Sequence, residues 1–133
     1  MKCFALTAAV FFTAAALTPA YAAPCELPAG VTWKNQLGSA ALIKVDAAGN
    51  LSGTYTSAVG CGAGKPRPLV GNCNGYAVTF SVNWEECVST TAWSGTVDKS
   101  GAQPKLTTLW HLVLAKKPAW DSIVSGTDTF QPK

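Results

Sequence analysis

Asn74-Gly75-Tyr76-Ala77-Val78-Thr79-Phe80-Ser81-Val82-Asn83-Trp84 is the stretch that decides the fold. Asn-Gly is a strong hairpin signal, because both residues tolerate the positive φ that a tight two-residue turn requires. After it, Val78, Phe80, Val82 and Trp84 share one face of a strand, while Ala77, Thr79, Ser81 and Asn83 share the other. The first set must be interior. The same period of two extends both ways, predicting strands over residues 31–35, 39–46, 51–58, 68–73, 76–84, 89–98, 105–114 and 122–130. Turn chemistry separates them: Ala47-Ala48-Gly49-Asn50, a Gly- and Pro-bearing loop over 59–67, a short link over 85–88, Lys99-Ser100-Gly101, and a loop over 115–121. Each strand reaches the next by a short connection, and no helical period survives beyond the first 22 residues. The expected fold is all-β, an eight-stranded antiparallel up-and-down barrel (a closed meander), which leaves no unpaired edge. A two-sheet sandwich is the alternative.

The first residues read as a targeting segment. Lys2 gives a positive start, residues 4–17 are apolar, and Thr18-Pro19-Ala20-Tyr21-Ala22 has the small residues of a cleavage site. The expectation is therefore a signal peptide over 1–22, a single domain over 23–133, and secretion to an extracellular or periplasmic compartment. Without Lys2, nine basic residues face seven acidic ones, a net charge of about +2. The basic residues are scattered, with Lys116-Lys117 the sole adjacent pair. Neither a nucleic-acid footprint nor a membrane-binding surface is expected from that pattern. Cys3 would leave with the signal peptide, and the remaining Cys25, Cys61, Cys73 and Cys87 permit three disulfide pairings. A metal site is disfavoured, since no CxxC spacing occurs and His111 is the one histidine.

Phase sorts the other strands. Leu106, Thr108, Trp110, Leu112 and Leu114 are expected to point in, and Leu109, His111 and Val113 out. An outward face this apolar normally needs covering, which implies subunit contact. Ser89, Thr91 and Trp93 are in phase, as are Leu51, Gly53, Tyr55, Ser57 and Val59. Trp33 with Asn35, then Ser39, Ala41 and Ile43, and finally Val124, Gly126, Asp128 and Phe130 complete the inward set. Tryptophans at 84, 93, 110 and 120 therefore keep company with isolated hydroxyl groups at Ser57, Ser89 and Thr91. Strand direction puts Asn35, Ser39, Ser57, Trp84, Ser89 and Thr91 at one common mouth. An unpartnered buried polar group costs about 1–3 kcal/mol, so these either satisfy one another or grip a small, partly polar ligand.

At this point the residues resemble the avidin and streptavidin family of biotin-binding barrels. Residues 33–39 (Trp-Lys-Asn-Gln-Leu-Gly-Ser), 53–60 (Gly-Thr-Tyr-Thr-Ser-Ala-Val-Gly) and 82–84 (Val-Asn-Trp) carry the likeness. So do 89–95 (Ser-Thr-Thr-Ala-Trp-Ser-Gly), 108–110 (Thr-Leu-Trp) and 126–130 (Gly-Thr-Asp-Thr-Phe), all in family order. The resemblance implies that Asn35, Ser39 and Tyr55 donate hydrogen bonds to the ureido oxygen of biotin. Ser57 and Asp128 would accept from its two N–H groups, and Thr91 would reach the ring sulfur. Trp84, Trp93, Trp110 and Leu112 would wall the ring and chain. Ser89 and the backbone at Val59, Gly60 and Cys61 would meet the carboxylate, Cys61 through its main chain only. Trp33 would be a structural tryptophan at the closed end.

Trp120, in the last loop, would cap the pocket of a neighbouring subunit, which favours a homotetramer. On the implied barrel Cys61 and Cys87 sit in two mouth loops and Cys25 and Cys73 at the opposite pole, so Cys61–Cys87 and Cys25–Cys73 are the expected pairs. A bridge across the mouth loops also occurs in some dimeric relatives. His111, facing outward, would make assembly pH-sensitive if it lies at an interface. The expected function is non-catalytic, high-affinity sequestration of biotin with no cofactor, since no nucleophile–base pair is evident. A barrel for another small ligand, or a secreted protease inhibitor, are the rivals.

Overall fold

A computed structural model describes residues 23–115 and 118–133; the expected signal peptide and Lys116-Lys117 lie outside them. The strands are β1 (Thr32–Asn35), β2 (Ala40–Val45), β3 (Asn50–Thr56), β4 (Pro66–Asn74), β5 (Ala77–Trp84), β6 (Ser89–Asp98), β7 (Lys105–Leu114) and β8 (Ile123–Pro132). They form a closed barrel in sequential order, each antiparallel to the next. Closure is made by β8 against β1, through Trp33↔Pro132, Lys34↔Gln131 and Asn35↔Phe130. Two short 3₁₀ turns, η1 (Glu85–Cys87) and η2 (Ala119–Ser122), fill connections expected to be irregular.

Most strand ends differ from the pattern reading by one or two residues, and three of the differences bear on pairing. β4 begins at Pro66, inside the expected loop. Over Pro66–Pro68 it pairs with β3 alone, its register with β5 starting at Leu69, so the missing proline N–H groups cost no bond on that side. The β4–β5 hairpin turns at Gly75-Tyr76 rather than Asn74-Gly75, with Asn74 opposite Ala77. Gly75 has φ +57° and Tyr76 is not among the positive-φ residues, which fits a turn needing glycine at its first central position only. β8 runs two residues further than expected, and those residues supply most of the closure with β1.

The interior follows the predicted phase except at Val124, expected to point in but 42% exposed. Trp33, Ile43, Leu69, Val78, Val82, Leu106 and Phe130 are fully buried. Phe80 stacks on Trp93 with ring centroids 4.9 Å apart, and Tyr55 also lies 4.9 Å from Trp93. Such pairs add about 0.5–1.5 kcal/mol each beyond area burial. Trp33 sits in this packing, as expected of a structural tryptophan, with its Nε1 3.4 Å from the Pro28 carbonyl. An arm ahead of β1 covers the closed pole: Leu27 is buried, Glu26 N–H donates to the Gly75 carbonyl at 2.8 Å, and Lys99 pairs with Glu26 at 2.6 Å. Both expected disulfides are present, Cys25–Cys73 tying that arm to β4 and Cys61–Cys87 joining two connections at the other pole.

Cys25 and Cys73 are 48 residues apart, a closure that restricts the unfolded chain by about 2–4 kcal/mol. Replacing both by serine is expected to lower the unfolding free energy by that amount in a guanidinium titration while near-ultraviolet circular dichroism keeps its folded signature.

Candidate functional site

The mouth of the barrel opens into a cavity of about 510 Å³, within the range of small-molecule sites. Asn35, Ser39, Tyr55, Ser57, Val59, Gly60, Cys61, Trp84, Ser89, Thr91, Trp93, Trp110, Leu112 and Asp128 all line it. These are the predicted site residues except Trp120, brought together from every strand but β2 and β4 and from the connections at the mouth. Trp120 lies in η2, 86% exposed, and does not line its own chain's cavity.

Local structure fixes what each polar group offers. The β1–β2 turn folds back so that Asn35 Oδ1 accepts from Leu37 N–H at 3.1 Å and Ser39 N–H at 2.9 Å. With the carbonyl side committed, the amide presents its NH₂ as the remaining function, a donor. Ser57 donates its hydroxyl proton to the Val59 carbonyl at 2.7 Å and accepts from Val59 N–H at 3.3 Å, leaving one lone pair to accept. Ser39 Oγ accepts from Ala58 N–H at 3.0 Å. Tyr55, opposite Ala41 across the β2–β3 ladder, stands beside Ser39. Burial pushes the Tyr55 phenol up to about 12, and the Asp128 charge pushes the same way against the Ser39 hydrogen bond. The phenol is therefore a protonated donor at neutral pH.

Asp128 is buried yet doubly held. Its Oδ2 accepts from Trp93 Nε1 at 2.9 Å and its Oδ1 from Gln36 Nε2 at 3.0 Å. Gln36 in turn accepts from Thr129 N–H at 3.0 Å and donates to the Thr127 carbonyl at 3.2 Å, so it clasps β8 from the β1–β2 turn. Charge-assisted bonds of this kind orient a carboxylate more firmly than neutral ones. Trp84 Nε1 donates to Thr91 Oγ1 at 2.9 Å, which fixes the indole and leaves the threonine proton to donate elsewhere. Trp110 is set by close approach: a Cβ on Gly126 would lie 2.3 Å from its Cζ2. Only glycine lets that indole lie flat on β8.

Four lining residues were not predicted as site residues: Leu37, Glu86, Leu114 and, beyond its disulfide, Cys87. Leu114 was legible in the inward phase of β7. Leu37 and Glu86 lie in connections, where alternation gives no direction. Gln36 was missed for a different reason: alternation turns it away from Asn35, and only barrel closure brings it to Asp128. At the mouth, Glu86 pairs with Arg67 and, at 3.5 Å, with Lys65. The Arg67 hydrogen bond is the main cause of a Glu86 carboxyl held down at about 2.

A sequence model described as the Avidin family matches residues 22–133. Afifavidin from Afifella pfennigii is 34% identical over 105 residues, which are 74% of this chain. The chain spans 65% of afifavidin's own length. Among solved structures, apo shwanavidin superposes with a TM-score of 0.76 at 35% identity, covering 80% of this chain and 100% of shwanavidin. A rhizavidin–biotin complex superposes with a TM-score of 0.71 at 35% identity, covering 79% of this chain and 100% of rhizavidin.

The raised phenol generates a prediction. Because the Tyr55 pKa is above its unfolded value near 10, its contribution is full below pH 10 and is lost as pH rises toward 12. A two-unit shift corresponds to about 2–3 kcal/mol. Ultraviolet titration at the tyrosinate band should show one phenol ionising near pH 12, absent in Tyr55→Phe. Stability should fall less between pH 10 and 12 in that variant than in the unmodified chain.

Proposed function

The chain belongs to the avidin family, and from that premise we propose that its cavity binds biotin, the ureido ring at the floor and the carboxyl-bearing chain toward the mouth. One observation carries the reading: donors and acceptors in the bowl are sorted by their own internal bonds. A cyclic urea offers one carbonyl oxygen and two N–H groups. Asn35 NH₂, the Tyr55 hydroxyl and the Ser39 hydroxyl supply donors for the oxygen. Ser57 Oγ and the Asp128 carboxylate supply acceptors for the N–H groups. The Thr91 hydroxyl is left for the ring sulfur, and Ser89 with the main chain at Val59, Gly60 and Cys61 for the carboxylate. Trp84, Trp93, Trp110 and Leu112 would remove apolar surface of the ring and chain from water, worth roughly 25 cal/mol per Å². The rhizavidin complex, whose fold this chain shares, supports the choice of biotin.

The same reading is of a non-catalytic protein that sequesters its ligand and uses no cofactor. Export after removal of residues 1–22 fits the two disulfides, which persist in oxidising compartments. Assembly into a homotetramer is part of the proposal. Leu109 and Val113 on β7 and Ile123 on β8 are 59%, 39% and 42% exposed, an apolar face of adjoining strands. Trp120, in the neighbouring turn, is exposed and outside the lining of its own cavity, as a residue serving another subunit would be.

Calorimetric titration with biotin, on a sample whose mass is measured by light scattering, tests both parts. One biotin per chain in a particle of four chains is expected; no heat and no saturation would refute the site, and a two-chain particle would refute the tetramer. Asp128→Ala removes a buried charged acceptor worth about 1.5–3 kcal/mol. It should speed biotin dissociation roughly 10- to 100-fold in an exchange experiment and change association little.

A further inference from the structure

The charged groups that line the cavity are both acidic, Asp128 at the floor and Glu86 at the mouth. Asp128 is used by the ureido ring in the reading above, whereas nothing in that reading uses Glu86. Its side chain is 27% exposed, and Arg67 and Lys65 engage its two oxygens. Neither cation lines the cavity. The β3–β4 connection packs over the same place: a Cβ on Gly62 would lie 3.2 Å from Glu86 Oε1 and 3.5 Å from Trp84 Cε3. The adjoining Cys61–Cys87 bridge fixes η1, on which Glu86 stands, to that connection. Glu86 is thus held at the rim by an ion pair and by its neighbour's covalent link, with its cations outside the cavity lining.

A ligand seated with its ureido ring on Asn35 and Asp128 brings its far end to this rim. If that end is a free carboxylate, it meets a like charge; if the carboxyl is in amide linkage, it meets none. We infer that Glu86 is a specificity-determining residue, biasing the site against free biotin and toward biotinyl groups whose carboxyl is amide-linked, such as biotin on a lysine side chain. The inference rests on the biotin reading and adds to it the class of ligand end that the mouth accepts. Each acidic or basic neighbour acts in a known sense: Arg67 and Lys65 moderate the repulsion, and Glu85, which adds its charge at Arg67, reinforces it.

The test is competition between radiolabelled biotin and biotin amide for limiting sites on the full chain, which returns the ratio of the two affinities however tight each is. Charge pairs at exposed positions are weak, so Glu86→Gln should shift the ratio toward free biotin by roughly two- to fivefold. A loosened mouth that acted on both ligands alike would leave the ratio in place. The unmodified protein gives an independent measurement. Lowering the pH from 7 to about 3.5 neutralises a ligand carboxyl of ordinary pKa while Glu86, held at about 2, stays ionised. The ratio should again move toward free biotin by a similar factor. A ratio that stays flat or moves toward the amide, in the variant or in the acid series, overturns the inference. Absence of saturable binding by both ligands would instead overturn the biotin reading beneath it.

Discussion

Three residue pairs between β8 and β1 close the sheet, and the site exists because of that closure. Without it, both strands would be edges with unpaired N–H and C=O groups, a template for association with other chains. With it, Asn35 from one end of the chain and Asp128 from the other share one bowl. Gln36 makes the link specific: it bonds the Asp128 carboxylate and both flanking main-chain groups, so the last strand is locked to the first turn beside the acceptor it carries.

The polar groups of the bowl are then pre-aimed rather than merely buried. Asn35 and Ser57 spend part of their hydrogen-bonding capacity on the chain itself, and what each has left has one sign: the Asn35 amide gives, the Ser57 oxygen takes. A ligand therefore meets a fixed pattern and loses little to reorganisation of the site. The indoles are set in the same way, Trp84 by Thr91, Trp93 by Asp128 and Trp110 by the absence of a side chain at Gly126. For Trp84 and Trp93 the orienting bonds run to polar groups of the bowl, so its polar and apolar walls are set together.

The two poles divide the work of stability and selection. At the closed pole a disulfide, an ion pair and Leu27 hold the arm ahead of β1 over the core. At the mouth a second disulfide and the Arg67–Glu86 pair order two connections that alternation leaves undetermined. Val88, which follows η1, has φ +48°, uncommon for a β-branched residue, and is part of the same tight link into β6. Loop order at the mouth is thus maintained by covalent and ionic ties instead of by buried apolar area.

By itself the sequence determined the barrel and most of its interior. A period of two forces side chains to alternate, so Val78, Phe80, Val82 and Trp84 had to share the core, and Ser89, Thr91 and Trp93 had to follow them. The inward polar residues were legible by the same rule, and so was their gathering at one mouth, because consecutive antiparallel strands reverse direction. The turn at Gly75-Tyr76, the start of β4 at Pro66 and the extension of β8 were decided elsewhere. Those boundaries depend on which neighbouring strand is present to pair, a relation between distant segments. Gln36 on Asp128, Glu86 at the rim and Trp110 on Gly126 likewise came only from the tertiary structure. Alternation gives the face a residue occupies along its own strand; closure of the sheet sets which residues from the rest of the chain stand opposite it.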